Sequence, residues 1–124
     1  MKQDISTEGA PGAIGPYSQA IDAGPFVFTS GQLPINPVSG AMPANIADQT
    51  AQSLENVSAV LTAAGLSMDD VVKTTVFLAD MSDFAAMNEV YSQYFNAPFP
   101  ARSAVAVKTL PKNALVEIEA IAVR

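Results

Sequence analysis

Residues 71–79 read VVKTTVFLA, a β-branched run that is apolar on both alternations, with Val72, Val76 and Leu78 on one and Val71 and Phe77 on the other. A strand of that composition leaves neither face in water, so the sheet it joins must be covered on both sides. The rest of the chain shows how much cover it can supply. YSQAID (17–22) and FVFTS (26–30) pattern as short strands turned at Gly24-Pro25, an opening hairpin. From Asn45 to Ala64 the apolar positions Ile46, Leu54, Val57, Leu61 and Ala64 follow a helical repeat closed by Gly65. A second helix starts with Ser82 as N-cap, aligns Phe84, Met87, Val90, Tyr91 and Tyr94 along one stripe, and stops at Pro98 and Pro100. Two last strands, SAVAVKTL (103–110) and LVEIEAIAV (115–123), flank the turn PKNA. The order ββαβαββ predicts an α+β fold whose crossovers lay both helices on one face of a mixed sheet. That leaves the second face bare, and its apolar character predicts a partner subunit against it.

A chain of 124 residues, 49% of them apolar and with no biased segment, is expected to form one compact domain spanning 1–124. Six basic against twelve acidic residues give a net charge of −6, so no basic stripe is available for nucleic acid or an anionic membrane. No window has the length of a membrane span and MKQDISTEGAPGAIG has no apolar leader core, which together point to the cytoplasm. The chain has no cysteine and no histidine. That excludes nucleophile–histidine triads and ordinary zinc sites, and leaves proton transfer to carboxylates, Tyr, Lys or water.

Against that background Arg102, in FPARSAVAV, is conspicuous: apart from Arg124 it is the only arginine, and it sits in an otherwise apolar strand. In LVEIEAIAV strict alternation puts Glu117 and Glu119 on one strand face, about 7 Å apart. The short PKNA turn predicts that the Arg102 and Glu117 strands form an antiparallel hairpin, bringing Arg102 within reach of the carboxylates. Such a pair is either a structural salt bridge or a site. In a site, the planar guanidinium suits bidentate capture of a small carboxylate, with a nearby Glu free to take a proton from water. Lys73, Lys108 and the Asp69-Asp70 pair read as solvated charges, and Tyr17 as either core or lid. GQLPINPVSG, a long irregular loop, has no phosphate-binding pattern.

Taken together, GAIGPYSQAI, VFTSGQLPINPVSG, QSLENVSAVLTAAGL, VVKTTVFLADMSDFAAMNEVY, FPARSAV and LVEIEAIAV resemble the Rid (YjgF) family of enamine/imine deaminases, in order and over nearly the whole chain. The resemblance implies a chorismate-mutase-like fold, a homotrimer with sites between subunits, small 2-imino acid substrates, and no cofactor or metal. It implies that Arg102 binds the substrate carboxylate and that Glu117 positions or deprotonates the attacking water. Tyr17, Ser30 and Gly31 would line the cleft from a neighbouring subunit, completed by Asn88 and the main chain at Ala104. Many members of the family carry cysteine where this chain has Ala104, and its loop before Phe99 is shorter. A non-catalytic module binding small carboxylates in the same cleft is the alternative.

Overall fold

The computed structural model describes residues 2–124. Its strands are β1 (Gln3–Ile5), β2 (Ala20–Ala23), β3 (Phe26–Thr29), β4 (Val71–Leu78), β5 (Ala101–Ala106) and β6 (Val116–Val123). The helices are α1 (Ile46–Ala63) and α2 (Phe84–Tyr91), with 3₁₀ turns at Met68–Asp70, Met81–Asp83 and Pro111–Asn113. The six strands form one mixed sheet in the order β1-β2-β3-β6-β4-β5. The chain thus adds one strand to the expected order. Gln3–Ile5 is too short and polar to show a pattern, and is a strand only because it pairs with β2.

The β2–β3 hairpin forms as expected, with Gly24 at φ +83 in its turn and Ala23 opposite Phe26. The second expected hairpin does not form. β5 pairs in parallel with β4 alone, whereas β6 runs antiparallel between β3 and β4. Burial explains the placement. On the helix-covered face Val116, Ile118, Ala120 and Ala122 of β6 are all almost fully buried, which suits a central strand, whereas Arg102 and Ala104 of β5 are only partly buried and Ala106 is exposed, as on an edge. The Pro111–Asn113 turn, with Lys112 and Asn113 both left-handed, carries the chain past β4 to the far side.

Asn45 caps α1 by accepting from the Asp48 amide at 2.8 Å, and Gly65 leaves the helix at φ +80. Leu54, Val57, Val60 and Leu61 are buried in the single core with Val27, Val76, Leu78 and Ile118. Burying each such side chain stabilises the fold by about 1.5–3 kcal/mol before entropy is counted. The cap of the second helical segment differs from expectation. Asp80, rather than Ser82, caps it, accepting from the Ser82 amide at 2.8 Å and opening a 3₁₀ turn that runs into α2.

A β-bulge at Val72 also changes the reading of β4. Val71 shares the helix-covered face with Thr74, Val76 and Leu78, while Val72 is extruded and 44% exposed. The opposite face carries Phe28, Phe77, Val105 and Ile121, with Lys73, Glu117 and Glu119 among them. No helix covers it. No helix of the described residues is long and apolar enough to cross a membrane.

Candidate active site

Glu117 lies on the open face of β6, opposite Phe77 of β4. Its carboxylate rests on Gly31: a Cβ built there would stand 1.9 Å from Oε2 and 2.8 Å from the carboxyl carbon. Only glycine admits this approach without moving the carboxylate. The bridge Gln32↔Ile118 continues the pairing of β3 with β6 past Gly31 and so sets Gly31 beside Glu117. Burial raises the Glu117 pKa above the ordinary glutamate value, and the neighbouring charge of Glu119 adds to the rise. A half-buried carboxylate of raised pKa is a better proton acceptor than a solvated one.

Ser30 and Tyr17 belong to the same region. The Ser30 amide donates to the Gln19 carbonyl at 2.9 Å and its Oγ to the Ser18 carbonyl at 2.6 Å, so both of its donors hold the backbone in place. Tyr17 is exposed. It lines a small cavity of about 70 Å³ together with Gly31, Ile14, Leu33 and Lys112.

Arg102 lies elsewhere. It pairs with Thr74 and faces the helices, where Nη1 donates to Asn88 Oδ1 at 2.7 Å. Its guanidinium carbon lies 4.8 Å from the centroid of the Tyr91 ring and 5.5 Å from that of Phe84. Behind it the Tyr91 hydroxyl is hydrogen-bonded to Thr74 Oγ1 at 2.7 Å. Asn88, Tyr91, Ser92, Phe99, Pro100 and Arg102 line an open cavity of about 530 Å³. Ala104 follows on the same face of β5, partly buried against the core.

The expected Arg102–Glu117 pairing within one chain is therefore absent. Thr74 and Phe77, their partners on β4, are three residues apart and face opposite sides of the sheet. Strand spacing and rise set the two Cα atoms roughly 14 Å apart. The chain places the expected site residues in two separate groups, Glu117 with Gly31, Ser30 and Tyr17, and Arg102 with Asn88 and Ala104. Phe84 and Tyr91, part of the apolar stripe of the second helix, also flank the guanidinium. Their spacing with Asn88 on α2 (84, 88, 91) already places all three on one helix face.

The fold is α+β, with a partly buried guanidinium on one side of the sheet and a half-buried carboxylate on the other. The family model described as Endoribonuclease L-PSP matches residues 7–124. The 2-iminobutanoate/2-iminopropanoate deaminase of Escherichia coli K12 is 55% identical over 127 aligned residues, covering 100% of this chain and 99% of that protein. A RutC family protein of Pyrococcus horikoshii is 59% identical, with 98% of each chain covered. The crystal structure of E. coli TdcF with bound serine superposes with a TM-score of 0.95 at 53% identity, covering 98% of both chains. The chain belongs to the Endoribonuclease L-PSP family, the Rid (YjgF) family.

Proposed function

We propose that this protein hydrolyses reactive 2-imino acids, formed from enamines such as 2-aminoacrylate, to 2-oxo acids and ammonia. The relative named a 2-iminobutanoate/2-iminopropanoate deaminase matches over the full chain and supports the reaction class. The observation that carries the reading is the separation of a braced guanidinium from a half-buried carboxylate on opposite faces of the sheet. The two can serve one small molecule only if different copies of the chain supply them. The assembly proposed is a homotrimer, with the apolar open faces turned inward and each site between neighbours.

In this scheme Arg102 of one copy holds the substrate carboxylate through the donors that Asn88 leaves free. The iminium carbon is already electrophilic, so what it needs is a placed water and a proton acceptor. Glu117 of the adjoining copy takes a proton as the water oxygen bonds to C2, giving a carbinolamine. Glu117 returns that proton to the nitrogen. The C–N bond then breaks, the hydroxyl loses its proton as the carbonyl forms, and 2-oxo acid and ammonium leave. No thiol enters these steps, so Ala104 in place of cysteine alters the pocket wall and not the chemistry.

A second reading has one specific support: the TdcF structure, 53% identical, holds serine, a small carboxylate. On that reading the same cleft binds without turnover. Ammonia release from an imino acid generated in situ, with the spontaneous rate subtracted, separates the two. The wild type is expected to exceed background, and Glu117→Gln to lose about 10²- to 10⁴-fold, the usual size of a general-base contribution. Release equal to background in the wild type would leave the binding module standing.

A further inference from the structure

Gln19 is only 4% exposed, and its side chain reaches across to a segment that belongs to no strand. Its Oε1 accepts from the Thr7 amide at 2.7 Å. Its Nε2 donates to the carbonyls of Pro11 at 2.7 Å, Thr7 at 3.0 Å and Ala10 at 3.2 Å. Two hydrogens serve three carbonyls, so at least one is shared and the amide has no donor to spare. The Gln19 main-chain carbonyl accepts from the Ser30 amide at 2.9 Å. One residue therefore ties the strap 7–11 to the corner that leads into Gly31. Sheet pairing of β2 begins only at Ala20, so the ladder does not account for a glutamine at 19.

Beyond its anchor the strap lines the small cavity that is also lined by Gly31, the residue on which the Glu117 carboxylate rests. Pro11, Gly12 and Ile14 line it together with Gly31, Leu33 and Tyr17. The cavity is about 70 Å³, large enough only for a few carbons. Thr7, Glu8 and Ala10 of the strap also border a broader hollow of about 710 Å³ together with Val38.

We propose that Gln19 is a positioning residue for the site: its carboxamide pins the 7–11 strap so that Pro11, Ile14 and Tyr17 form a fixed wall opposite Gly31, and that wall selects substrates by side-chain size. This rests on the deaminase reading given above. None of the Gln19 hydrogen bonds goes to Arg102 or Glu117, so its loss should loosen substrate fit without removing the proton acceptor.

The test uses Gln19→Leu and Gln19→Glu in the full chain. For Gln19→Leu, KM for 2-iminobutanoate should rise about tenfold, the worth of one hydrogen bond, with kcat within about threefold of the wild type. The preference between 2-iminopropanoate and 2-iminobutanoate should flatten. Gln19→Glu keeps the acceptor for the Thr7 amide but turns an ionised carboxylate toward three carbonyls, whereas the protonated acid can donate to one of them. Its KM defect should therefore shrink as pH falls, after division by the wild-type profile, which cancels the contributions of the neighbouring Asp4, Glu8, Tyr17, Lys112 and Glu117. Because that comparison uses one folded protein, it holds even if Gln19→Leu fails to fold. Amide hydrogen exchange gives a readout independent of turnover: residues 7–17 should exchange faster in the variants while β4 and β6 stay protected. Faster exchange with unchanged KM and unchanged preference would overturn the positioning role, and unchanged exchange would overturn the anchor itself. If the wild type releases no ammonia the deaminase reading fails instead. The wall is then tested by calorimetry with 2-oxobutanoate, whose binding should weaken in the variants and whose unchanged affinity would sink the inference.

Discussion

At the residue scale the decisive pair is Glu117 and Gly31. The carboxylate lies where any Cβ at position 31 would displace it, and burial there raises its pKa. The same burial has a cost for folding. A carboxyl whose pKa is higher folded than unfolded adds stability that is complete below the ordinary glutamate range and is lost as pH rises through the folded value. Ionised Glu117 thus weakens the wild type at neutral pH. Glu117→Gln keeps the shape without the charge. Its urea midpoint should exceed that of the wild type at pH 7, and the difference should vanish on acidification below the ordinary glutamate pKa. An equal difference at both pH values would show that the carboxylate's charge is not what burial penalises. Higher stability with lost turnover, in one substitution, would mark a residue kept for chemistry.

At the scale of elements, the sequence disclosed what periodicity controls and hid what pairing controls. The bounds of α1 were visible because Asn45, Gly65 and a long apolar repeat agree. The β2–β3 turn was visible because Gly24-Pro25 permits little else. The neighbours of β6 were not, because a short turn between strands normally means a hairpin. Only the burial of the helix-facing side, complete in β6 and partial in β5, argues otherwise. The same error joined Arg102 to Glu117 within one chain. Their identities as the polar residues of interest could be read from their apolar surroundings; their separation could not. Asn88 and the Tyr91 ring hold Arg102, and beneath them the buried Tyr91–Thr74 hydrogen bond ties α2 to β4. Tyr91→Phe keeps the ring beneath the guanidinium but strands the Thr74 hydroxyl in the core. It should cost about 1–3 kcal/mol of stability, measured by chemical denaturation, while leaving KM near the wild-type value. A rise in KM at unchanged stability would mean that the hydroxyl acts on Arg102 and not on the packing of the helix.

At the scale of the whole molecule the open sheet face governs what the chain does next. Phe26 and Phe28 are each 43% exposed and Val105 45%, on a face that no helix covers. Set among the apolar residues are Lys73, Thr75 and Glu119, which border a hollow of about 150 Å³ with Ile121. Among the described residues the one ion pair is Arg124 with Asp22, so Lys73 and Glu119 are not in contact within a chain. If copies of the chain cover this face, as the homotrimer proposal requires, both charges lose water and each needs an opposite charge close by. Sedimentation equilibrium at micromolar concentration should then give three times the chain mass for the wild type. Lys73→Glu would crowd carboxylates around Glu117 and Glu119 on the buried face, and should shift the variant toward monomer at low salt. Lys73→Met removes the charge but fills the space with an apolar chain and should weaken assembly less. Screening within a Debye length of about 10 Å at 0.1 M salt should partly restore the Lys73→Glu assembly as salt is raised. A wild type that sediments as a monomer would remove the shared site altogether. A Lys73→Glu variant that stays fully trimeric at low salt would place Lys73 outside the contact, and the copies would have to meet through Phe26, Phe28 and Val105 alone.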